Sequence, residues 1–196
     1  MAYENQSTVR LQFSRTESML STITRTAVNM GFKTAVDENG VIQGTKVEAV
    51  VDAGAYTANS VDLSMAMGKK LFRVYRIPHL NYSVKAIYTN TPTAGGCRGW
   101  GSPQANTSLE IHLNNIATKI GMDPAEFRMK NLVYPGDVDH SSDVSLGNAR
   151  IRECLEIGVE KFAWKERLKK HSGSGRYVRG IGLACAGHVN GFYGKI

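Results

Sequence analysis

The sequence has few cysteines and no long apolar segment. No run of about eighteen apolar residues occurs in the 196-residue chain, which excludes a helix that spans a membrane. The first ten residues, MAYENQSTVR, lack the apolar centre of a signal peptide, so no secretory leader is visible. Cys97, Cys154 and Cys185 lie far apart, without a CxxC spacing. We therefore expect free thiols in a reducing cytoplasm, and neither a disulfide framework nor a zinc site.

Motifs of the common enzyme classes are absent as well. No GxSxG, HExxH, Walker or Rossmann fingerprint occurs in the chain. The carboxylates are scattered over predicted turns and helix faces, and His112 has no second histidine or carboxylate at ligand spacing. We interpret His112 as a structural or an exposed residue. The residues by themselves therefore predict no catalytic side chain and no metal held by side chains.

The chain is basic, with a net charge of +7, and much of this charge lies in residues 161–179. A basic balance is compatible with nucleic acid, a membrane surface or an anionic ligand as a partner. Because no nucleic-acid-binding motif accompanies this segment, we interpret it as a solvated helix face followed by a basic loop. We expect neither nucleic acid nor a membrane as a partner.

Alternation of apolar and polar residues predicts the strands. Residues 9–15 alternate in this way and predict a half-buried strand, with a short helix beginning near Ser14 or Thr16. The DENG sequence at 37–40 is typical of a tight hairpin turn, because Asn and Gly both tolerate positive φ. It predicts an antiparallel pair between residues 31–36 and 41–53. Further strands are predicted at 82–88 and 178–189.

Apolar stripes at helical spacing predict four longer helices, at residues 60–72, 104–120, 123–131 and 152–171. Because strands and helices are mixed without strict alternation, we expect an α+β fold in which a mixed or antiparallel sheet is packed with helices. We divide the chain into three parts. They are a strand-rich part (1–103) that ends in a glycine-rich loop, a helical part (104–171) and the start of a further sheet segment (172–196).

The glycine-rich loop, residues 91–104 with the sequence TPTAGGCRGWGSPQ, is the most informative stretch. Glycines allow a backbone to turn tightly and to approach a ligand closely. Ser102 and Pro103 predict a helix start, with Ser102 as the N-cap, and N–H groups at such a start can face an anion. The residues alone leave two alternatives open: a surface turn whose tryptophan only packs, or a loop that binds an anion or cofactor through its backbone.

This loop resembles that of the molybdenum hydroxylases, the xanthine dehydrogenase and aldehyde oxidase family, whose pattern is P-x-G-A-[FY]-R-G-[FW]-G-x-P-Q. Seven residues match the pattern: Gly95, Arg98, Gly99, Trp100, Gly101, Pro103 and Gln104. Further stretches of the chain are similar to the same large subunit and follow in the same order. They are SRTESM (14–19), DAGAY (52–56), YRIP (75–78), YTNTP (88–92), GMDPAEFR (121–128) and KNL (130–132).

The resemblance implies a part of the molybdopterin-binding domain of such an enzyme, which hydroxylates a heterocycle, an aldehyde or a related electron-poor carbon with water as the oxygen source. It implies that the cofactor is bound at Gly96, Cys97, Arg98 and Gly99, mainly by backbone, with Arg98 anchoring the loop. Trp100 matches the aromatic residue that flanks the substrate, and Phe192 is aligned with the opposite wall. No side chain of this chain is implied as a metal ligand.

Two departures from the family pattern bear on the substrate and the metal. Cys97 stands where the family has Phe or Tyr, and we interpret it as a small, buried side chain and not as a ligand. The carbon monoxide dehydrogenases of the family carry a copper-binding cysteine after the arginine, where this chain has Gly99. Purine-oxidising members carry a substrate-contacting arginine in the helix before YRIP. Counting back from Tyr75 reaches Ala66, with no arginine nearby.

Two family motifs are missing from the chain: the FGGK loop, which should precede it, and the GxGE motif with the general-base glutamate, which should follow it. We therefore expect a fragment or split subunit that is inactive alone. The implied partners are the remaining large-subunit polypeptide and iron–sulfur and flavin subunits, which carry the 2Fe-2S clusters and FAD, in the cytoplasm. As a fragment it is expected to self-associate. The alternative is a non-catalytic α+β interaction module that retains the fold.

Overall fold

The computed structural model describes residues 1–71, 73–140, 142–169 and 176–187. The strands are β1 (Thr24–Arg25), β2 (Val28–Val36), β3 (Ile42–Gly54), β4 (Leu80–Tyr88), β5 (Ala94–Gly95), β6 (Val138–Asp139) and β7 (Val144–Ser145). The helices are α1 (Ala2–Asn5), α2 (Arg15–Ser21), α3 (Ser60–Lys70), α4 (Ser102–Lys119), α5 (Pro124–Asn131), α6 (Ile151–Lys161) and α7 (Trp164–Lys169).

The central sheet has the strand order β2-β3-β4. Strands β2 and β3 are antiparallel and are joined by the predicted hairpin turn, in which Asp37 accepts the N–H groups of Asn39 and Val41. Gly40 there has a φ of +80°, the left-handed conformation that glycine adopts without strain. Strand β4 adds to β3 in parallel. The predicted mixed sheet is thus confirmed.

Helices α3 and α4 cover one face of this sheet. Their buried side chains Leu63, Met67, Leu109 and Leu113 belong to one core cluster with Val47 of β3. Residues of β3 alternate between buried and exposed along the strand, as a sheet with one covered face requires. The fold is therefore a two-layer α+β arrangement, as the sequence predicts.

A buried charge network connects α4, α5 and the segment 176–187. The Glu110 carboxylate accepts two hydrogen bonds from Arg128, one from the Tyr75 hydroxyl and one from the Cys185 N–H. Burial, followed by the negative charge of Glu110, raises the pKa of Tyr75 and of Cys185. The network fixes the last described segment against the helical layer.

Two of the predicted strands do not form. Residues 8–14 belong to no helix or strand, and Val9, Leu11 and Phe13 are exposed. The alternation is present, but no strand of the described chain pairs with it. Residues 178–187 of the other predicted strand are likewise irregular, and residues 188–189 lie outside the described residues. Within the described residues neither segment pairs with another strand, and a periodic pattern alone cannot supply such a partner.

The predicted helix ends are correct in part. Helix α2 begins after Ser14, whose side chain accepts from the Glu17 N–H while Glu17 accepts from the Ser14 N–H. The helix predicted at 152–171 divides into α6 and α7, because Ala163 adopts a φ of +52° between them, and residues 170–171 are not described. The predicted loop at 134–149 contains the short antiparallel pair β6–β7.

Candidate functional site

The glycine-rich loop connects the end of β4 with the start of α4, and its entry is fixed by β1. Strand β5 at its beginning pairs in parallel with β1, and the Thr24 N–H donates to the Thr93 carbonyl at 3.2 Å. From the same strand, Arg25 Nη2 donates to the Arg98 carbonyl at 2.9 Å. The loop is thus joined to a segment that lies 73 residues away in sequence.

Asp52, near the end of β3, holds the turn that precedes the loop. Its carboxylate accepts from the hydroxyls of Thr89 and Thr91 and from the Gly54 N–H. The hydrogen bond from Thr89 is the main cause that lowers the pKa of Asp52, with smaller contributions from Gly54 and Thr91. The DAGAY and YTNTP motifs therefore meet in space, and the chain enters the loop in a fixed direction.

Both ends of helix α3 contact the loop. At its N-terminus, Asn59 Oδ1 accepts from the Gly96 N–H at 2.8 Å, and Ser60 Oγ donates to the Ala94 carbonyl at 2.7 Å. At its C-terminus, Lys70 Nζ donates to the carbonyls of Gly99, at 3.1 Å, and Trp100. Lys70 is only 3% exposed. Burial, with a smaller effect of the Arg73 charge, lowers the pKa of Lys70 to about 8.

The centre of the loop is a tight left-handed turn. The Trp100 N–H donates to the Cys97 carbonyl and the Ser102 N–H to the Gly99 carbonyl. Gly99, Trp100 and Gly101 have φ values of +92°, +43° and +81°. Positive φ in a tryptophan is uncommon, and such conformations concentrate at functional sites. The strained conformation is stabilised here by the contacts from Lys70.

Gly96 is required by packing inside the loop. A Cβ added at Gly96 would overlap the Trp100 ring, approaching its Cε3 to 2.7 Å, and would lie 3.1 Å from Asn59 Nδ2. The indole is half-buried and packs against the hydrophobic core. This glycine therefore makes room for the indole, a role that the expectation of close approach to a ligand did not include.

The loop carries polar groups without a protein partner. Within the described part of the chain, the main-chain N–H groups of Cys97, Arg98 and Gly99 donate to no protein acceptor. Cys97 and Gly99 are half-buried, and the Arg98 side chain is exposed. Close to this loop, the buried Thr26 Oγ1 and Gln104 Oε1 also have no partner among the described residues, although Gln104 Nε2 donates to the Thr26 carbonyl at 3.0 Å.

These groups suit a polar, negatively charged cofactor. Adjacent free N–H groups can bind anionic oxygen atoms. Among the described residues, the guanidinium groups of Arg25 and Arg98 form no ion pair with a carboxylate. The described residues contain no group of three or more His, Cys, Asp or Glu side chains that could hold a metal ion. The donor set on the loop therefore fits a group bound mainly through main-chain contacts.

The structure places Gly96, Cys97, Arg98, Gly99 and Trp100 together in this one turn. Phe192, aligned with the opposite wall of the substrate site, lies outside the described residues. Among the described residues the Arg98 side chain makes no hydrogen bond that holds the loop, whereas the Arg98 carbonyl accepts one from Arg25. The predicted N-cap is wrong by one position, since Gly101 caps α4 and Ser102 is its first residue. The positive φ of Gly101 turns the chain directly into the helix.

Sequence reasoning missed Asn59 and Lys70. A signal for Lys70 was present, because Leu63, Met67 and Lys70 follow the i, i+4, i+7 spacing of one helix face and all three are buried. Lys69, on the neighbouring face, is exposed. Counting back from Tyr75 directed attention to Ala66, four residues before the lysine that contacts the loop. Asn59 carried no comparable signal, since its partner Gly96 is 37 residues away.

Comparison with known proteins gives a consistent result. Residues 1–132 match the family model described as molybdopterin cofactor-binding domain. The xanthine dehydrogenase molybdenum-binding subunit of Escherichia coli O157:H7 is 33% identical over 183 residues, which cover 93% of this chain and 24% of that protein. The nicotinate dehydrogenase large molybdopterin subunit of Eubacterium barkeri is 30% identical over 161 residues, which cover 82% of this chain and 38% of that protein.

Solved structures share the fold. The aldehyde oxidoreductase from Desulfovibrio gigas superimposes with a TM-score of 0.71 at 23% identity, over 83% of this chain and 18% of that chain.

This chain spans only about a quarter of the length of the Escherichia coli xanthine dehydrogenase subunits that it matches, at 24%. Among the described residues, no helix is long and apolar enough to cross a membrane.

The family match extends over 132 of the 196 residues and includes the whole glycine-rich loop, with helices α3 and α4 on either side of it. The described geometry agrees with that match, because the loop is held at both ends and presents free donors between them. The chain belongs to the molybdopterin cofactor-binding domain family.

Proposed function

We propose that this chain is a fragment or split subunit of a molybdopterin-dependent oxidoreductase. The complete enzyme hydroxylates a heterocycle, an aldehyde or a related electron-poor carbon, with water as the oxygen source. The observation that carries the proposal is the run of N–H groups at Cys97, Arg98 and Gly99 that have no acceptor among the described residues, on a loop that α3 and β1 hold in place. This arrangement lies within the part of the chain that matches the family.

The residues of the loop have separate roles in this proposal. Main-chain groups of Gly96, Cys97, Arg98 and Gly99 hold the cofactor, and the guanidiniums near them balance its negative charge. When bound, the molybdenum cofactor supplies the redox chemistry. Trp100 orients a flat substrate by offset stacking, with Phe192 proposed as the opposite wall. The chain contains no GxGE motif that would supply the general-base glutamate, so we propose that the chain alone is inactive.

The proposed partners follow from the length of the relatives. Names such as "molybdenum-binding subunit" and "large molybdopterin subunit" describe proteins of which this chain covers 24% and 38%. We propose that the remaining large-subunit polypeptide supplies the general base, and that iron–sulfur and flavin subunits carry electrons away through 2Fe-2S clusters and FAD. The proposed location is the cytoplasm, with a small molecule and not a nucleic acid as the substrate.

Metal analysis tests this function. The chain is co-expressed with the proposed remaining large-subunit polypeptide, and molybdenum and pterin are measured in the purified complex. The variants Gly99→Glu and Trp100→Glu each place a bulky charged side chain in the turn. We expect the content of molybdenum and of pterin to fall at least about tenfold in each variant, since a loss of about 1.4 kcal/mol in binding free energy already gives a factor of ten.

Gly158→Glu is the matched control. Gly158 lies in α6, and an added Cβ would meet nothing within 4 Å there, so molybdenum and pterin should stay at the wild-type level. Unchanged metal content in the two loop variants would contradict the proposal and favour a non-catalytic interaction module. A loss in the Gly158 variant as well would show that the assay reports general damage.

We also propose that the isolated chain self-associates through its N-terminal arm, residues 1–23. This arm exposes several large apolar side chains, among them Tyr3 at 87%, Leu11 at 76% and Leu20 at 73%. The double variant Leu11→Glu/Phe13→Glu should weaken association by at least about tenfold, because burying each such side chain contributes about 1.5–3 kcal/mol. Sedimentation velocity over a concentration series measures this.

Thr8→Glu/Gln12→Glu is the matched control for this measurement. It adds the same two negative charges to exposed polar positions of the same arm, and association should remain as in the wild type. A wild-type chain that stays monomeric at high concentration would rule out self-association. Equal weakening in both double variants would indicate an effect of charge and not of the apolar side chains.

A further inference from the structure

We propose that helix α3 acts as a splint that sets the shape of the glycine-rich loop, with Asn59 and Lys70 as its positioning residues. The consequence for cofactor binding rests on the proposed function. The effect on the loop itself does not, because it concerns only contacts within this chain.

The first contact of the splint lies at the N-terminus of α3. Asn59 is the N-cap residue of the helix, yet its side chain makes no capping hydrogen bond. The side-chain oxygen instead accepts from the Gly96 N–H at 2.8 Å. A group that would ordinarily satisfy its own helix is therefore used to hold the loop.

The second contact lies at the C-terminus of the same helix. Lysines at such positions usually face solvent or the last carbonyls of their own helix. Lys70 is instead buried and donates to the carbonyls of Gly99 and Trp100 in the loop. Burial of an ammonium group is unfavourable unless hydrogen bonds compensate it, so these contacts restrain the turn strongly.

The charged neighbours of Lys70 show that its burial depends on its position in the helix. Arg73, whose charge contributes to the lowered pKa of Lys70, is paired with the buried Asp139 at 2.8 Å. Lys69 is adjacent in sequence and carries the same charge but is exposed. The burial of Lys70 therefore follows from its place on the inward face of α3, next to the loop, and not from a general enrichment in charge.

The two contacts enclose the proposed cofactor-binding residues. Gly96 is held by Asn59, and the carbonyls of Gly99 and Trp100 are held by Lys70. Cys97 and Arg98 lie between them, and their N–H groups have no acceptor in the described part of the chain. A helix of 11 residues is about 16 Å long and rigid on this scale. One rigid element thus presents the free donors in a fixed arrangement before any ligand binds, which is how preorganised sites gain affinity.

Hydrogen–deuterium exchange mass spectrometry of the full 196-residue chain tests the splint without any cofactor. In Lys70→Met we expect exchange in peptides covering residues 94–104 to become at least about fivefold faster, while peptides from the core of β3 keep the wild-type rate. Lys70→Arg retains a cationic donor and should restore slow exchange. Lys69→Met removes the same charge from the exposed neighbour and should leave the loop unchanged.

Asn59 gives an independent variant at the other end of the helix. Asn59→Ala removes the acceptor for the Gly96 N–H and should also accelerate exchange in the loop, whereas Asn59→Asp keeps that acceptor and should not. Unchanged loop exchange in both Lys70→Met and Asn59→Ala would overturn the proposal, as would equal acceleration in Lys70→Met and Lys69→Met. Faster exchange throughout the core and the loop in both variants would also overturn it, because it would reveal only a stabilising role.

Hydrogen exchange and metal analysis together distinguish a failure of the splint proposal from a failure of the proposed function. Molybdenum content in the co-expressed complex depends on the cofactor, whereas exchange in the isolated chain does not. Fast loop exchange with unchanged molybdenum would retain the splint and contradict the cofactor-binding role of the loop. Slow loop exchange with reduced molybdenum in Lys70→Met would contradict the splint, because the lysine would then act without altering the loop.

Discussion

Replacing Gly54 with alanine is expected to destabilise the chain by about 2–5 kcal/mol, from left-handed strain together with overpacking. Gly54 ends β3 with a φ of +73°. An added Cβ would lie 2.8 Å from the Cα of Thr93 and 2.9 Å from the carbonyl carbon of Pro92. These are backbone atoms that cannot rotate away, so the chain that leads into the glycine-rich loop must move. Urea unfolding followed by circular dichroism measures the effect.

Gly158→Ala, measured in the same assay, is expected to change the stability in the opposite direction. This glycine lies inside α6 in an ordinary helical conformation with open space around it. Alanine there should stabilise the chain by up to about 1 kcal/mol, because it has the higher helix propensity. If Gly54→Ala proved as stable as the wild type, β3 and the Pro92–Thr93 segment could not lie as close together as described.

Glu110→Ala is expected to cost about 3–5 kcal/mol of unfolding free energy, the range for breaking a buried ion pair from one side. Arg128 would lose its carboxylate partner while its side chain is 0% exposed. The Tyr75 hydroxyl and the Cys185 N–H would lose their acceptor at the same time. Urea unfolding should show a lower midpoint, and proteolysis should cut residues 176–187 more readily in the variant.

The surface pair of Lys46 and Glu48 is the control for this effect. Its atoms are 2.7 Å apart, but both side chains are more than half exposed, at 51% and 63%. Glu48→Ala should change stability by no more than about 0.5 kcal/mol, since exposed ion pairs contribute little. Equal effects of Glu110→Ala and Glu48→Ala would show that burial of the Glu110 network does not matter for folding.

Elements with local signals were predictable from the sequence. The hairpin between β2 and β3 depends on an Asn-Gly turn, and α4 on an apolar stripe within a single helix. Residues 8–14 show the limit of such patterns: their alternation is as regular as that of β2, but no strand of the described chain lies beside them. A strand needs a partner, and the partner is set by the fold.

The candidate site divides in the same way. The sequence by itself determined to which family the chain belongs and pointed to the glycine-rich loop as the candidate site, because glycines, an arginine and a tryptophan at fixed spacing are a property of the chain in order. Only the tertiary structure decided that Lys70, and not Lys69, donates hydrogen bonds to this loop and that Asn59 holds its other end. The same is true of Gly96, whose missing side chain makes room for the indole of Trp100. Lys70 and Gly99 are 29 positions apart in the sequence, and Asn59 and Gly96 are 37 positions apart. Such residues come into contact only when the helix and the sheet pack together.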